Sequence, residues 1–489
     1  MVMATTASEL DTLRARWRAA VRRAMQRGPA LVSVGIVLPA VDPLDLFARF
    51  AGTARDRFYW ERPADDVAFA GAGAAWTIES PSAIEAGRSW RALLAGAIVD
   101  APIVARRAAS THGDSLDTPG LMDGPLLVGG FAFDRLRPAT SLWQGYPSGR
   151  LVLPRLTLVT QGDTSTLTVN AIVSSTVACD IDAMVDDVEA ILASRTVVGT
   201  TDGAAGRGDH GYPWVEDVLP RAEWEALVAG GARACREDAL CKVVLARSVR
   251  VHARDDLDVV AVLRDARAAY PNAFTFAVAR GDRAFVGATP ERLVRLYDGA
   301  ADVACLAGST GRGAMPEEDR LRGDLLLASP KDRAEHLFVV DAVRDALADA
   351  CPDLQIPAAP RLLRLHNVQH LYTPVTGRVA PGTGVLDLVA RLHPTPAVGG
   401  QPREEALAYI RAHEGLDRGW YAAPVGWLNG RGEGEFAVAL RSALVSGDEA
   451  TLFAGCGIVA SSSPAAEYEE TRLKLRPMLA ALGARQERL

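Results

Sequence analysis

The chain has no C-x-x-C pair, no Cys/His cluster and no apolar run approaching the roughly 18 residues of a membrane span. Its six cysteines, Cys179, Cys235, Cys241, Cys305, Cys351 and Cys456, are scattered. That argues against structural zinc and a disulfide framework, and it suits a reducing compartment. A basic surplus is also missing: the formal net charge is −7, which removes the electrostatic reason to expect nucleic acid or an anionic membrane as a partner. An anionic substrate would therefore need a locally basic pocket. The N-terminal stretch, with Arg14, Arg16, Arg18, Arg22 and Arg23, lacks a continuous apolar segment and a cleavage site. It reads as an amphipathic surface helix and not as a signal peptide. No internal repeat is visible, and the expectation is a soluble cytoplasmic protein.

The chain is 489 residues long, 49% hydrophobic and 23% charged, an ordinary globular composition whose length allows about two to four domains. Hydrophobic patterning predicts a helix over 10–27, strands at 31–38 and 57–61, a helix over 81–107 and a polar loop at 113–124. A strand at 126–133 precedes an antiparallel pair at 151–160 and 165–174. A helix at 181–194 leads to the Gly/Asp-rich stretch 199–211, which reads as a linker. Helices are expected beyond it at 221–237, 258–269, 329–350, 385–392 and 403–413, with a last one near the C-terminus. Strands fall at 242–251, 273–279, 284–288, 292–297, 302–307, 361–368, 421–428, 434–445 and 450–460. Many strands follow one another without helices between, so the fold class is α/β (α+β), a large mixed or antiparallel sheet with helices packed outside. The linker divides the sequence without having to divide the fold.

Two helix starts carry carboxylates. Ser329-Pro330 and Ser463-Pro464 are good openings, because Ser caps free N–H groups and Pro at the first position loses nothing by lacking one. Asp332 and Glu335 share a face of the first helix; Glu467, Glu470 and Lys474 share a face of the second. From spacing alone a solvated, dipole-matching face is the better reading and a metal site the alternative. Lys242 opens an apolar strand, where a lysine ordinarily snorkels to the surface; pointed into a pocket, it would be a usable base. Glu291 follows a strand and a Pro turn, the usual setting of a solvated acid. The segment 306–313 (LAGSTGRG) offers backbone N–H groups and hydroxyls to an anion but lacks the lysine of a phosphate-binding loop. His366 and His370, four apart on a strand-like stretch, suit hydrogen bonding better than a metal. The segment 69–75 (FAGAGAA) is similar to a dinucleotide loop, yet no βαβ unit surrounds it, and turn glycines are the better reading.

The order of the motifs adds a further level. KVVLAR at 242–247, TPERL at 289–293, SPKDRAEH at 329–336, LHPTPAVGG at 392–400, WYAAPVGW at 420–427, AGCGIV at 454–459 and EYEE at 467–470 together resemble the isochorismate synthase branch of the chorismate-utilising enzymes. The resemblance is strong over 213–485. It is weaker through GGFAFD at 129–134 and WQGYP at 143–147, and it leans toward the menaquinone type over the siderophore type. It implies one large domain, an antiparallel sheet sandwich with the site deep between its layers. It also implies Mg²⁺ held by Glu335 and Glu470 with Asp332 and Glu467 nearby, Lys242 as the base that activates water, and Glu291 as the acid that protonates the departing hydroxyl. Arg441, Gly455 and Tyr421 match the clamp for the enolpyruvyl carboxylate, and Lys474 a second cation. Gly308 and Ser309 match a loop beside the leaving hydroxyl, and His370 a hydrogen-bonding group at the ring. Ala397 belongs to the HPTPA segment in its isochorismate-forming version.

Relatives that insert nitrogen differ at the diagnostic places. Anthranilate synthases usually carry no lysine at the position of Lys242, and aminodeoxychorismate synthases carry a nucleophilic lysine where this chain has Ala307. No glutamine amidotransferase subunit is therefore expected. Salicylate synthase, which keeps the water-activating lysine and then eliminates pyruvate, is the alternative. Cys456 departs from the alanine of many relatives.

Overall fold

The computed structural model describes residues 2–102, 124–138, 140–174, 181, 182, 185, 186, 189, 213–237, 239–364 and 368–484. The linker at 199–211, His366, and most of the loop at 113–124 and of the helix at 181–194 lie outside the described residues.

Two large sheets dominate. The 13-stranded sheet runs from Trp214–Asp217 through Lys242–His252, Glu449–Ile458, Ser442–Ser446, Arg283–Thr289 and Phe274–Arg280. It continues into Asp56–Arg62, Val67–Ala72, Leu156–Gln161, Thr164–Val173, Ala30–Pro39 and Ile98–Asp100, and Gly400–Gln401 pairs with Lys242–His252 off this path. The nine-stranded sheet runs Arg361–Arg364, Val368–Arg378, Ala300–Gly311, Arg292–Tyr297, Gly434–Val438, Pro424–Leu428, Leu127–Phe131, Gly149–Leu153, Trp76–Glu79. Each sheet draws strands from both sides of 199–211. Among the described residues, pairing is antiparallel except between Ala30–Pro39 and Ile98–Asp100.

The main core contains Trp60, Phe69, Trp143, Trp427 and Phe436, with strands of both sheets contributing. Phe69 of the larger sheet meets Trp427 of the smaller edge-on, ring centroids 6.1 Å apart. A second core, with Leu13, Trp17, Val34, Phe47, Leu263 and Leu479, brings helices Val2–Met25, Pro43–Arg49, Val259–Ala269 and Pro464–Ala481 against the larger sheet. No helix among the described residues is long and apolar enough to cross a membrane.

Several sequence expectations are corrected. The run 151–160 is two strands split near Pro154: Gly149–Leu153 belongs to the smaller sheet, and Leu156–Gln161 pairs with Thr164–Val173 in the larger. The run 434–445 likewise splits into Gly434–Val438 and Ser442–Ser446, one in each sheet. The helix expected over 81–107 is Ala83–Leu94, because Ile98–Asp100 is taken into the larger sheet beside Val32–Val34. A helix not expected, Pro316–Ala328, precedes Pro330–Leu347. Tyr421 lies in the turn before Pro424–Leu428, outside any strand. The glycine-rich 69–75 ends a strand: a Cβ on Gly71 would come 2.6 Å from Pro154 Cγ, so close packing explains that glycine.

Candidate active site

Two crossovers between the sheets carry a candidate acid and a candidate clamp. Glu291 lies between Arg283–Thr289 of the larger sheet and Arg292–Tyr297 of the smaller. Arg441 lies between Gly434–Val438 of the smaller and Ser442–Ser446 of the larger. The crossovers are tied together. Val438 N donates to Glu291 O at 3.0 Å and Ala288 N to Arg441 O at 3.1 Å. The buried Thr289 hydroxyl donates to Val438 O at 2.6 Å and accepts from Glu291 N at 3.3 Å. Arg441 is held at φ 49°, a left-handed conformation that costs a non-glycine residue about 1–2 kcal/mol.

Burial pushes the Glu291 carboxyl up to about 7, although Arg441, Lys242 and Lys474 all pull it down. Glu291 can therefore hold a proton near neutrality, as a general acid must. Burial lowers the Arg441 pKa from its ordinary value, opposed by Tyr421, Glu470 and Glu291. Its guanidinium has no hydrogen-bond or ion-pair partner among the described residues, and its planar fork is suited to a carboxylate.

Lys242 opens the strand Lys242–His252, tethered on one side by Cys241 N to Gln401 O at 2.8 Å. Its Nζ donates to Glu335 Oε1 at 2.7 Å, and the lysine is 9% exposed. The surface reading of this lysine does not hold: it is buried against Gly457, where a Cβ would stand 2.5 Å from Lys242 Cε. Two residues along the same strand, Gly455 O accepts from Lys474 Nζ at 2.9 Å, and Lys474 pairs with Glu470 at 2.6 Å. A Cβ on Gly455 would lie 3.4 Å from the Tyr421 hydroxyl. Tyr421 itself is stacked on Phe453, ring centroids 5.1 Å apart.

The smaller sheet supplies the opposite side. A bulge between Ala307 and Ser309, with Gly308 at φ 76°, brings Ser309 Oγ to 2.6 Å from His370 Nδ1. Burial, with Arg441 and Lys474 adding to it, lowers His370 to about 4, so the ring is neutral near pH 7. Asp332 abuts this bulge: a Cβ on Gly308 would be 3.2 Å from Asp332 Cβ. Ala397 lies in the turn closed by Val398 N to Thr395 O at 3.1 Å.

The carboxylates on the two helices do not form one preassembled cluster. Glu335 is taken by Lys242 and Glu470 by Lys474, while hydrogen bonds turn Glu467 toward Ser462 and Cys456. Among the described residues no three His, Cys, Asp or Glu side chains gather as a metal site. Glu335 and Glu470 nevertheless offer oxygen donors beside one short stretch of strand, Gly455 to Gly457. That donor set fits Mg²⁺, which takes one or two protein carboxylates and completes its shell with water and substrate oxygens.

One signal for the site went unused in the sequence. Only three of the chain's 53 basic residues are lysines, Lys242, Lys331 and Lys474, and two of them are here. A chain that otherwise uses arginine keeps lysine where a group able to lose its proton, or a compact point charge, is required.

The "Chorismate binding enzyme" family pattern matches residues 17–483. The chain is 38% identical over 485 residues to the "Salicylate biosynthesis isochorismate synthase" of Pseudomonas aeruginosa, covering 97% of this chain and 95% of that protein. It is 38% identical over 360 residues to "Isochorismate synthase MenF" of Bacillus subtilis, covering 74% and 75% respectively. Among solved structures, the menaquinone-specific isochorismate synthase MenF of Escherichia coli superposes with a TM-score of 0.74 at 26% identity, covering 95% of this chain and 99% of that one.

Proposed function

The chain belongs to the chorismate-binding enzyme family, and we propose that within it the protein is an isochorismate synthase, an isomerase that adds water at C2 of chorismate as the C4 hydroxyl departs. The observation that carries this reading is the presence at one site of a buried lysine, Lys242, and a half-buried carboxyl raised to about 7, Glu291. Water addition with loss of hydroxide needs a base at one carbon and an acid at another, since hydroxide leaves poorly without a proton. Lys242 takes the proton of the attacking water, and Glu291 delivers one to the departing hydroxyl. Arg441 grips the enolpyruvyl carboxylate with Tyr421 and Gly455 beside it, and Lys474 adds a second cation. Ser309, Gly308 and His370 flank the leaving group, and Ala397 leaves room at the ring.

Glu335 and Glu470 would hold Mg²⁺, with Asp332 and Glu467 near enough to act through water; the ion supplies a Lewis acid for the ring carboxylate. With Glu335 committed to the ion, Lys242 would be free of its pairing with that carboxylate. A salicylate synthase, in which pyruvate is subsequently eliminated, is the second reading, left open by the Pseudomonas aeruginosa relative, whose name places its isochorismate synthase in salicylate biosynthesis. The HPTPA segment and the menaquinone-specific neighbour support release of isochorismate and a place in menaquinone synthesis. Arg441, Lys242 and Lys474 at the site suit a small anionic substrate. Lys242→Ala tests the assignment. Turnover is lost while chorismate still binds; unchanged turnover would remove Lys242 as the base.

A further inference from the structure

Among the described residues, the strand that begins at Lys242 lacks a continuous neighbour on one side. Glu449–Ile458 pairs with it along nearly its whole length. On the other side, strand pairing among the described residues is confined to the ends: Lys242 and Val243 with Gln401 and Gly400, and Val249 to His252 with Asp217 to Trp214; next to these, Val244 N donates to Gly399 O at 3.0 Å and Ser248 O accepts from Val218 N at 3.2 Å. Backbone groups in such a gap lose free energy unless something else meets them.

Two side chains meet main-chain groups in between. Glu414 Oε2 accepts from Ala246 N at 2.7 Å, and Arg418 Nη2 donates to Val244 O at 2.7 Å. They hold each other through Arg418 Nε to Glu414 Oε1 at 2.7 Å and Nη2 to Oε2 at 2.5 Å, and are only 5% and 3% exposed. Arg418 reaches further. Its Nη1 donates to Val398 O at 3.0 Å, in the turn that carries Ala397, and its guanidinium lies 4.2 Å from the Phe133 ring centroid. Its carbonyl accepts from Tyr421 N at 2.8 Å.

We propose that the buried Glu414–Arg418 pair is a positioning element of the active site, replacing a missing strand and fixing Lys242, the Ala397 turn and Tyr421 relative to one another. This rests on the reading of Lys242 as the base. Stability alone is a weak reason for such a pair, because well-packed apolar residues often serve as well as a buried ion pair. What apolar residues cannot do is meet two main-chain groups of the base strand and one of the neighbouring turn together. Arginine is required for the reach: its fork makes several directed bonds at once, whereas lysine places one charge.

The test compares Arg418→Lys, Glu414→Gln and Lys242→Ala with wild type, at a temperature where circular dichroism shows each variant folded. Arg418→Lys lowers kcat by about 10- to 100-fold, the scale expected for a misplaced catalytic group, with KM changed by less than about threefold. Glu414→Gln keeps an acceptor for Ala246 N and retains more of kcat than Arg418→Lys. A folded Arg418→Lys enzyme with lowered melting temperature but wild-type kcat would overturn the positioning role, even with Lys242→Ala inactive. Should Arg418→Lys not fold, Glu414→Gln decides: a fall in kcat at constant KM supports the proposal, and wild-type kcat overturns it. Full activity of Lys242→Ala would instead remove the underlying reading of the base.

Discussion

Gly457→Ala separates the position of the candidate base from the stability of the fold. The new Cβ would stand 2.5 Å from Lys242 Cε and 3.1 Å from Nζ. Carbon atoms in contact rest at about 3.5–4.0 Å, so the end of the lysine must retreat by about 1 Å and its bond to Glu335 must change. The backbone at Gly457 is not left-handed, and the atoms displaced are the far end of a flexible side chain. The fold is therefore little affected, with a melting temperature within about 3 °C of wild type. Catalysis is affected more: a misplacement of about 1 Å can cost on the order of 100-fold, and kcat falls by about 10- to 100-fold. The assay is steady-state chorismate conversion beside a thermal melt on the same preparation. Gly455→Ala is the control, since its Cβ would meet Leu245 O at 3.0 Å and the Tyr421 hydroxyl at 3.4 Å; its effect falls on KM. Wild-type kcat in a folded Gly457→Ala enzyme would refute the claim that the place of the lysine amine matters.

Further outcomes follow from the same geometry. Because Glu291 must be protonated to act as an acid and burial raises it to about 7, kcat/KM declines as pH rises through about 7; Glu291→Gln abolishes that limb together with the activity. The same shift bears on stability. A carboxyl raised in the folded state contributes stability fully present below its ordinary value of 4.5 and lost as pH rises toward about 7. Urea titrations at pH 5 and pH 8 should accordingly show wild type losing ground relative to Glu291→Gln; an equal response would contradict the raised value. Arg441→Lys exchanges a planar fork for a point charge and raises KM by about 10-fold or more, the scale of one lost hydrogen bond to a charged group. Glu470→Ala weakens Mg²⁺ binding by at least about tenfold in a calorimetric titration, and unaltered binding would remove it from the proposed ligands.

Much of the fold was legible because long periodic segments kept their type: 385–392 and 403–413 are the helices their patterns predict. The misreadings share a physical cause. Alternation reports which face of a strand is buried but not which sheet it joins, so 151–160 and 434–445 looked continuous where the chain crosses between layers. Helix Pro316–Ala328 escaped notice because Leu321 and Leu325 are exposed while Asp319 and Gly323 are buried, which inverts the usual pattern. At the site, the ordered motifs named segments that the fold brings into contact, as Lys242 with Glu335 and Lys474 with Gly455. The contact between Lys242 and Glu335, 93 positions apart, and the crossovers that bring Glu291 to Arg441 arise only from the folded topology.

Incubation of the purified protein with chorismate and Mg²⁺, separation of the products and repetition with EDTA decides whether the enzyme makes isochorismate. Isochorismate accumulating toward a mixture with chorismate, only when metal is present, is the predicted result. Salicylate and pyruvate as main products would transfer the assignment to a salicylate synthase. No conversion under either condition would contradict the account and withdraw the roles given to Lys242 and Glu291.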